Sequence, residues 1–398
     1  MASPLKVPGY AGSEVSRVVI APDKFKGSLS ATEAAEAIAH GLRQKNRDLQ
    51  IDLHPVSDGG DGLVAGLLQH GFNRRLATVS DPLGRPVHAS YAIRGDTAVV
   101  EMAAASGMEL LNVDELDPWR CSTYGTGQLI AAAVAQGASN IVVGLGGSAT
   151  CDGGAGILAA LGVRLLDAAG RSVEPVPAAL EKLHQIDLSE MPPSLRGVQI
   201  VVASDVHNRL LGPNGAVSVF GPQKGAKPDQ LFALEERMHQ WADALESCTG
   251  RRVRDRPGTG AAGGVSFALA AVFDAAINPG IELFLELSGF DEVVAGARLV
   301  ITGEGRFDEQ TLGGKAPLGV CQAAARQGVP TIAVAGRTTL TSDHVRDSGF
   351  AGLYTLASVE ADEGRCMQEA PRLLSLVAGQ LAEDFLLAES LVEIDDRA

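Results

Sequence analysis

The apolar positions of this chain come in short runs that stop at a proline, a glycine or an acid, and most are followed by helical spacing. Residues 17–21 (RVVIA) form a β-branched run, which predicts a buried strand. Pro22 breaks it, and Ser30 with Glu33 has the spacing of a capping box, opening a helix with Ala34, Ile38 and Leu42 on one face. Residues 49–55 predict a second strand and residues 62–69 a helix closed near Gly71. This βαβα rhythm is the opening of a parallel sheet.

Between about residues 76 and 110 the pattern alternates around DPLGRP and YAIRGDTAVVEMA, which predicts antiparallel hairpins. Tyr124-Gly125-Thr126-Gly127 then opens an alanine-rich helix ending at Gly137. Residues 140–144 predict a strand and residues 154–161 a short helix. Pro228 suits the first turn of a long helix carrying Leu231, Leu234, Trp241 and Leu245. The glycine-rich block GTGAAGG (258–264) leads into an apolar helix expected to stop at Pro279-Gly280. From Arg298 the first rhythm returns, with strands expected at 299–302, 331–335 and 352–356. The two ends therefore read as halves of one Rossmann-like or flavodoxin-like sheet, interrupted by a different middle domain. The expected division is residues 1–80 with 285–398, against residues 81–284.

Composition narrows the function classes. A length of 398 residues suits two domains, and 45% hydrophobic with 20% charged residues is globular. The net charge of −15 argues against a nucleic-acid or anionic-membrane partner, so positive charge for an anionic ligand must be local. No run reaches the ~18 apolar residues of a membrane span. The N-terminal segment lacks an apolar signal core and reads as a loose extension, and the final EIDDRA as a frayed end. Five scattered cysteines without a C-x-x-C pair indicate neither a disulfide framework nor a zinc site. A cytoplasmic location is expected; the oligomeric state is left open.

Three joints share one design: HPVSDGGDG (54–62), VVGLGGSATCDGGAG (142–156) and RLVITGEGRFDEQT (298–311), each an apolar strand running into glycines and acids before a helix. A fourth, VQIVVASDVHN (198–208), has the acid without the glycines. Such joints surround an anion with backbone N–H groups, and the acids beside them call for a cation between. That combination points to Mg²⁺ and a phosphate ester. Lys24, Lys26 and Ser28 follow the first strand, where open α/β sheets bind ligands, and suit a phosphate or carboxylate. Asp58 and Asp61 suit a hard cation, which one or two carboxylates hold together with phosphates and water. Gly146, Gly147, Ser148 and Thr150 form a ligand loop: a packing turn would explain two glycines between 144 and 156, not six. Asp205 and Asn208 could ligate Mg²⁺ or take a proton from a hydroxyl, while His207 reads as structural. Lys224 and Lys315 are further cations in constrained turns, and Glu304 with Asp308 completes the acids. Phosphoryl transfer needs this inventory. Walker A, H-R-D, G-x-S-x-G and paired-histidine signatures are absent.

The chain resembles the bacterial-type (type I) glycerate kinase family from about Val18 to residue 380. The resemblance rests on APDKFKGSLSATEAAEAIAHGL, SDGGDG, TYGTGQLI, GLGGSATCDGGAGILAALG, SDVHNRLLGPNGA with VFGPQKGA, GTGAAGG and ITGEGRFDEQTLGGKAPLGV. It departs from the family pattern at Cys151, Ser204, Arg209 and Asp61 without losing a candidate charge. The resemblance implies a discontinuous flavodoxin-like parallel-sheet domain with an inserted second α/β domain, and ATP-dependent phosphorylation of D-glycerate to 2-phosphoglycerate. On that footing Asp205, Asp308 and Lys24 are expected to be catalytic, with Asp58, Asp61 and Glu304 on Mg²⁺. Lys26, Ser28, Gly146, Gly147, Ser148, Thr150, Asn208, Lys224 and Lys315 are expected to bind substrate or phosphate, in a cleft between the domains. The alternatives are a kinase of another small hydroxy acid or one forming 3-phosphoglycerate. A nicotinamide-dependent hydroxy-acid dehydrogenase would need G-x-G-x-x-G after the first strand, which DKFKGS does not supply, and a non-catalytic sensor would have lost acids.

Overall fold

The computed structural model describes residues 17–58 and 62–387. The N-terminal extension, Asp61 and the EIDDRA end lie outside them. The chain divides into two compact units, Met1–Asp58 with Ile281–Ala398, and Gly59–Gly280. In chain order the strands are β1 (Arg17–Pro22), β2 (Gln50–Leu53), β3 (Asn73–Ser80), β4 (Pro86–Arg94), β5 (Thr97–Glu101), β6 (Asn140–Gly144) and β7 (Arg164–Leu166). They continue with β8 (Gln185–Asp187), β9 (Gln199–Ala203), β10 (Ala276–Asn278), β11 (Leu299–Phe307), β12 (Thr331–Thr338) and β13 (Gly352–Thr355).

The first unit is an all-parallel sheet in the order β13-β12-β11-β1-β2. Counted within the unit this is 2-1-3-4-5, the flavodoxin order, whose ligand position is the switch point between the first and third strands, here β1 and β11. Val19 pairs with Val300, and Val300 with Thr331. One face is covered by the helices Ala31–Lys45 and Ala370–Ala382, burying Val18, Ile20, Ile38, Leu42, Ile301, Leu373 and Val377. The capping box forms: the Glu33 amide donates to Ser30 Oγ at 3.2 Å, and the Ser30 amide to Glu33 at 2.8 Å. On the other face Phe307, Cys321, Ala333 and Phe350 pack together.

β11 departs from expectation. The glycines of TGEG were read as a turn, yet the strand runs on through Phe307. A side chain on Gly303 would overlap the Val334 carbonyl, and one on Gly336 the Gly305 carbonyl, so these glycines permit close backbone crowding inside the sheet.

The second unit carries a six-stranded sheet, β10-β9-β6-β5-β4-β3, and the small β7-β8 pair. β5, β6, β9 and β10 are parallel, while β3 and β4 form the expected antiparallel hairpins. β3 pairs with β4 along its whole length, which places residues 73–80 in this unit. The long helix begins at Leu231, so Pro228 precedes it in a turn. The apolar helix Val265–Phe273 ends earlier than expected because Asp274 turns left-handed and residues 276–278 join β9 as β10. Its apolarity all round has a packing cause. Val265 and Leu269 enter the core with Val143 and Val202, whereas Phe267 and Ala271 enter a second core around Trp241.

Candidate active site

In the first unit the acids gather at the carboxyl ends of β1 and β11. Asp23 follows Pro22, and its amide donates to the Gly303 carbonyl at 2.8 Å, fixing it beside β11. The His54 and Val56 amides donate to the Ile20 and Pro22 carbonyls, which continues the pairing and brings Asp58 alongside. Asp23 is only 7% exposed, and burial, then the Asp58 charge, pushes its carboxyl up to about 7. Burial also raises Glu304, although Thr311 donates to its carboxylate at 2.5 Å and Lys315 opposes the shift. The Asp58 charge pushes both Asp23 and Glu304 upward, a crowding of negative charge that a divalent cation would relieve. No three His, Cys, Asp or Glu side chains among the described residues form a ready-made metal cage.

The other expected residues of this unit separate in role. Asp308 caps the short helix Glu309–Leu312, accepting from the Gln310 amide at 2.9 Å, and pairs with Arg306 at 3.3 Å. Its carboxylate is therefore engaged in local structure. Lys315 Nζ donates to Gln310 at 3.2 Å. The Ser28 hydroxyl donates to the Met367 carbonyl at 2.7 Å, a structural tie rather than a free ligand group. Lys26 is exposed and Lys24 half-buried on the same loop. Asp23 was missed by the sequence reading as a site residue; its signal was an acid directly after the proline that ends a buried strand.

Asp23 gives a pH-dependent prediction. Its carboxyl holds a proton more tightly in the folded than in the unfolded chain. The stability linked to it is therefore full at acid pH and is lost as pH rises from about 4 to about 7. Asp23→Asn is expected to leave the melting temperature near wild type at pH 4.5 and raise it at pH 8, by up to roughly 2–4 kcal/mol of stability. A gap that does not widen with pH would show that the burial of this carboxyl is not felt.

In the second unit the corresponding edge carries the glycine loop after β6, Asp205 after β9 and Glu101 at the end of β5. Glu101 accepts from the Gly62 and Leu63 amides at 2.8 and 2.9 Å, capping the helix Leu63–Leu67. The sequence reading missed it, because its partners lie far away along the chain. Asp205 is exposed and accepts from the Gly280 amide at 3.0 Å. Asn208 is half-buried and donates to the Asn214 carbonyl at 2.8 Å, while the expected bystander His207 is exposed.

The glycine loop is more closely packed than its composition suggested. Gly153, Gly154 and Gly156 abut Trp241, Ala268 and Ser122, and a side chain on any of them would clash. Gly153 donates to the Gly263 carbonyl at 3.0 Å and accepts from Trp241 Nε1 at 2.9 Å. Packing thus accounts for three of the six glycines and Gly144 ends β6, leaving Gly146 half-buried and Gly147 exposed at the tip. Asp152 is buried and accepts from the Thr123 amide and hydroxyl, both at 2.8 Å, and from Gly154 and Gly156 at 3.1 Å. Thr150 is wholly buried, and Ser148 and Lys224 nearly so. Lys224 Nζ donates to Ser148 Oγ at 2.8 Å and to the Thr150 carbonyl at 2.7 Å. Lys224, Ser148 and Thr150, expected to touch phosphate, are therefore joined to one another beneath the loop.

Parallel strands with acids and a glycine loop at their carboxyl ends define an α/β protein with its candidate ligand loops at strand ends. The model of the glycerate kinase family matches residues 18–386. A glycerate kinase of Bacillus subtilis (strain 168) is 43% identical over 94% of this chain and 99% of its own length. A glycerate 2-kinase of Escherichia coli (strain K12) is 42% identical over 86% and 92%. A crystal structure assigned as glycerate kinase 2 from Salmonella typhimurium LT2 superposes with a TM-score of 0.82 at 36% identity, covering 97% of this chain and all of that one. The chain belongs to the glycerate kinase family and is a kinase. No helix among the described residues is long and apolar enough to cross a membrane.

Proposed function

We propose that this kinase transfers the γ-phosphoryl group of ATP to D-glycerate, giving 2-phosphoglycerate. The reading rests above all on the whole-chain match to the family and to a relative named for that product. Lys24 and Lys26 neutralise carboxylate or phosphate charge at the first unit's switch point, as transfer of a polyanionic group requires. Asp205 takes the proton from the attacking hydroxyl. The Gly146-Gly147 tip, half-buried at Gly146 and exposed at Gly147, offers backbone N–H groups to a phosphate.

Mg²⁺ fits this edge of the first unit, where one or two of Asp23, Asp58 and Glu304 would hold it together with ligand oxygens and water; Asp61 lies outside the described residues. When bound, the ion supplies positive charge against the phosphoryl oxygens. The test is ADP release from Mg-ATP with glycerate, lactate, tartronate and hydroxypyruvate as acceptors, and NMR of the product. ADP formation with glycerate and phosphate on the 2-hydroxyl are expected. A 3-phosphorylated product would overturn the regiochemistry, and no ADP with any acceptor would overturn the reaction.

A further inference from the structure

Lys224 has an environment that packing alone does not call for. It ends a short helical turn, Pro222–Lys224, with its amide bonded to the Gly221 carbonyl at 3.0 Å. Gly225 follows at φ 98°, pressed so closely on the Leu116 carbonyl that no side chain fits there. The backbone under the lysine is thus fixed. Its side chain is 1% exposed, and its two hydrogen bonds go to neutral oxygens, Ser148 Oγ and the Thr150 carbonyl. Burial pulls its pKa below the ordinary lysine value, opposed by Cys151, Asp152 and Cys121. A methionine would fill the same space without the desolvation that a buried ammonium suffers. The charge therefore needs a reason beyond stability.

The loop supplies one. Residues 147–149 are held on their other side by the Met108 amide donating to the Gly147 carbonyl at 2.8 Å and the Ala149 amide to the Ser106 carbonyl at 2.9 Å. Lys224 grips the next turn from below, at positions 148 and 150. Leading into these anchors, Gly146 and Gly147 have no side chains to set their shape, Gly146 half-buried and Gly147 exposed.

We infer that Lys224 is a positioning residue: it holds the loop so that the Gly146-Gly147 tip receives an anionic phosphate, without touching that phosphate itself. The inference rests on reading residues 144–154 as a phosphate loop. A fixed cation beneath the tip both locks the backbone and adds favourable potential where charge arrives.

The test is Lys224→Met, with Lys224→Arg and Ser148→Ala beside it. Melting temperature, kcat, both KM values and the calorimetric affinities for ADP and 2-phosphoglycerate are measured. Lys224→Met is expected to stay folded and to weaken one of the two phosphorylated ligands by ~10–100-fold, raising the matching KM more than it lowers kcat. Arginine should recover part of that affinity. Ser148→Ala, which keeps the cation but loses one anchor, should weaken the same ligand by severalfold. The inference is overturned if Lys224→Met binds both ligands as wild type does, or if arginine recovers nothing. If Lys224→Met fails to fold, wild-type affinity in Ser148→Ala overturns it instead. Absence of glycerate-dependent ADP release by the wild type would strike the proposed reaction alone, since the binding comparison does not depend on turnover.

Discussion

Asp205→Asn is expected to lower kcat about a thousandfold while leaving the melting temperature within a few degrees of wild type. The substitution is nearly isosteric, and asparagine keeps an Oδ1 that can accept from the Gly280 amide, as the aspartate does at 3.0 Å. Because residue 205 is exposed, no core contact is lost. What disappears is a basic oxygen at the carboxyl end of β9, where a hydroxyl must surrender its proton. The KM values should move little, since the loss falls on the reacting step. Turnover within threefold of wild type would remove Asp205 from the chemistry and make Asp308 the next residue to test.

Gly263→Ala is expected to have the largest effect on stability, about 3–5 kcal/mol, or to prevent the second unit from folding. Gly263 has φ +66°, where an alanine is disfavoured by ~1 kcal/mol or more. The added methyl would also overlap the Thr150 carbonyl oxygen. That carbonyl has no easy retreat, because Lys224 Nζ holds it at 2.7 Å. Gly137→Ala is the control: φ is +93° there too, but nothing lies within 4 Å, so only the backbone term of ~1 kcal/mol should appear. Urea midpoints of the two variants against wild type decide the matter. Equal losses would mean that the close approach of residues 150 and 263 is not maintained in solution.

The periodic parts of the fold were legible in the sequence. β-branched runs at 17–21 and 140–144 and the capping box at Ser30 and Glu33 report local preferences that tertiary structure did not override. Glycines misled where the reason for them lies across the fold. Those of TGEG read as a turn because a lone sequence does not show the neighbouring carbonyls of β12 that crowd them. Glycines 153, 154 and 156 added weight to a ligand-loop reading of 144–156, although Trp241, Ala268 and Ser122 fill the space beside them.

Charge was legible as inventory but not as location. Lys224 and Lys26 look alike in a sequence, yet one is sealed beneath a loop and the other exposed. Asp23 was passed over beside two lysines because its importance comes from burial against Asp58 and Glu304, from distant segments.

The pairing of β1 with β11 has a consequence for how the molecule is made. Val18 lies against Leu299, so the first strand waits for its central neighbour until most of the chain has left the ribosome. Closing so long a loop carries an entropy penalty that grows with the residues still free within it. An inserted unit that has already collapsed shortens that loop to the distance between its own two ends. Synthesis order thus favours the insertion condensing first, with the parallel sheet sealed last, and ties late assembly of the first unit to early success of the second.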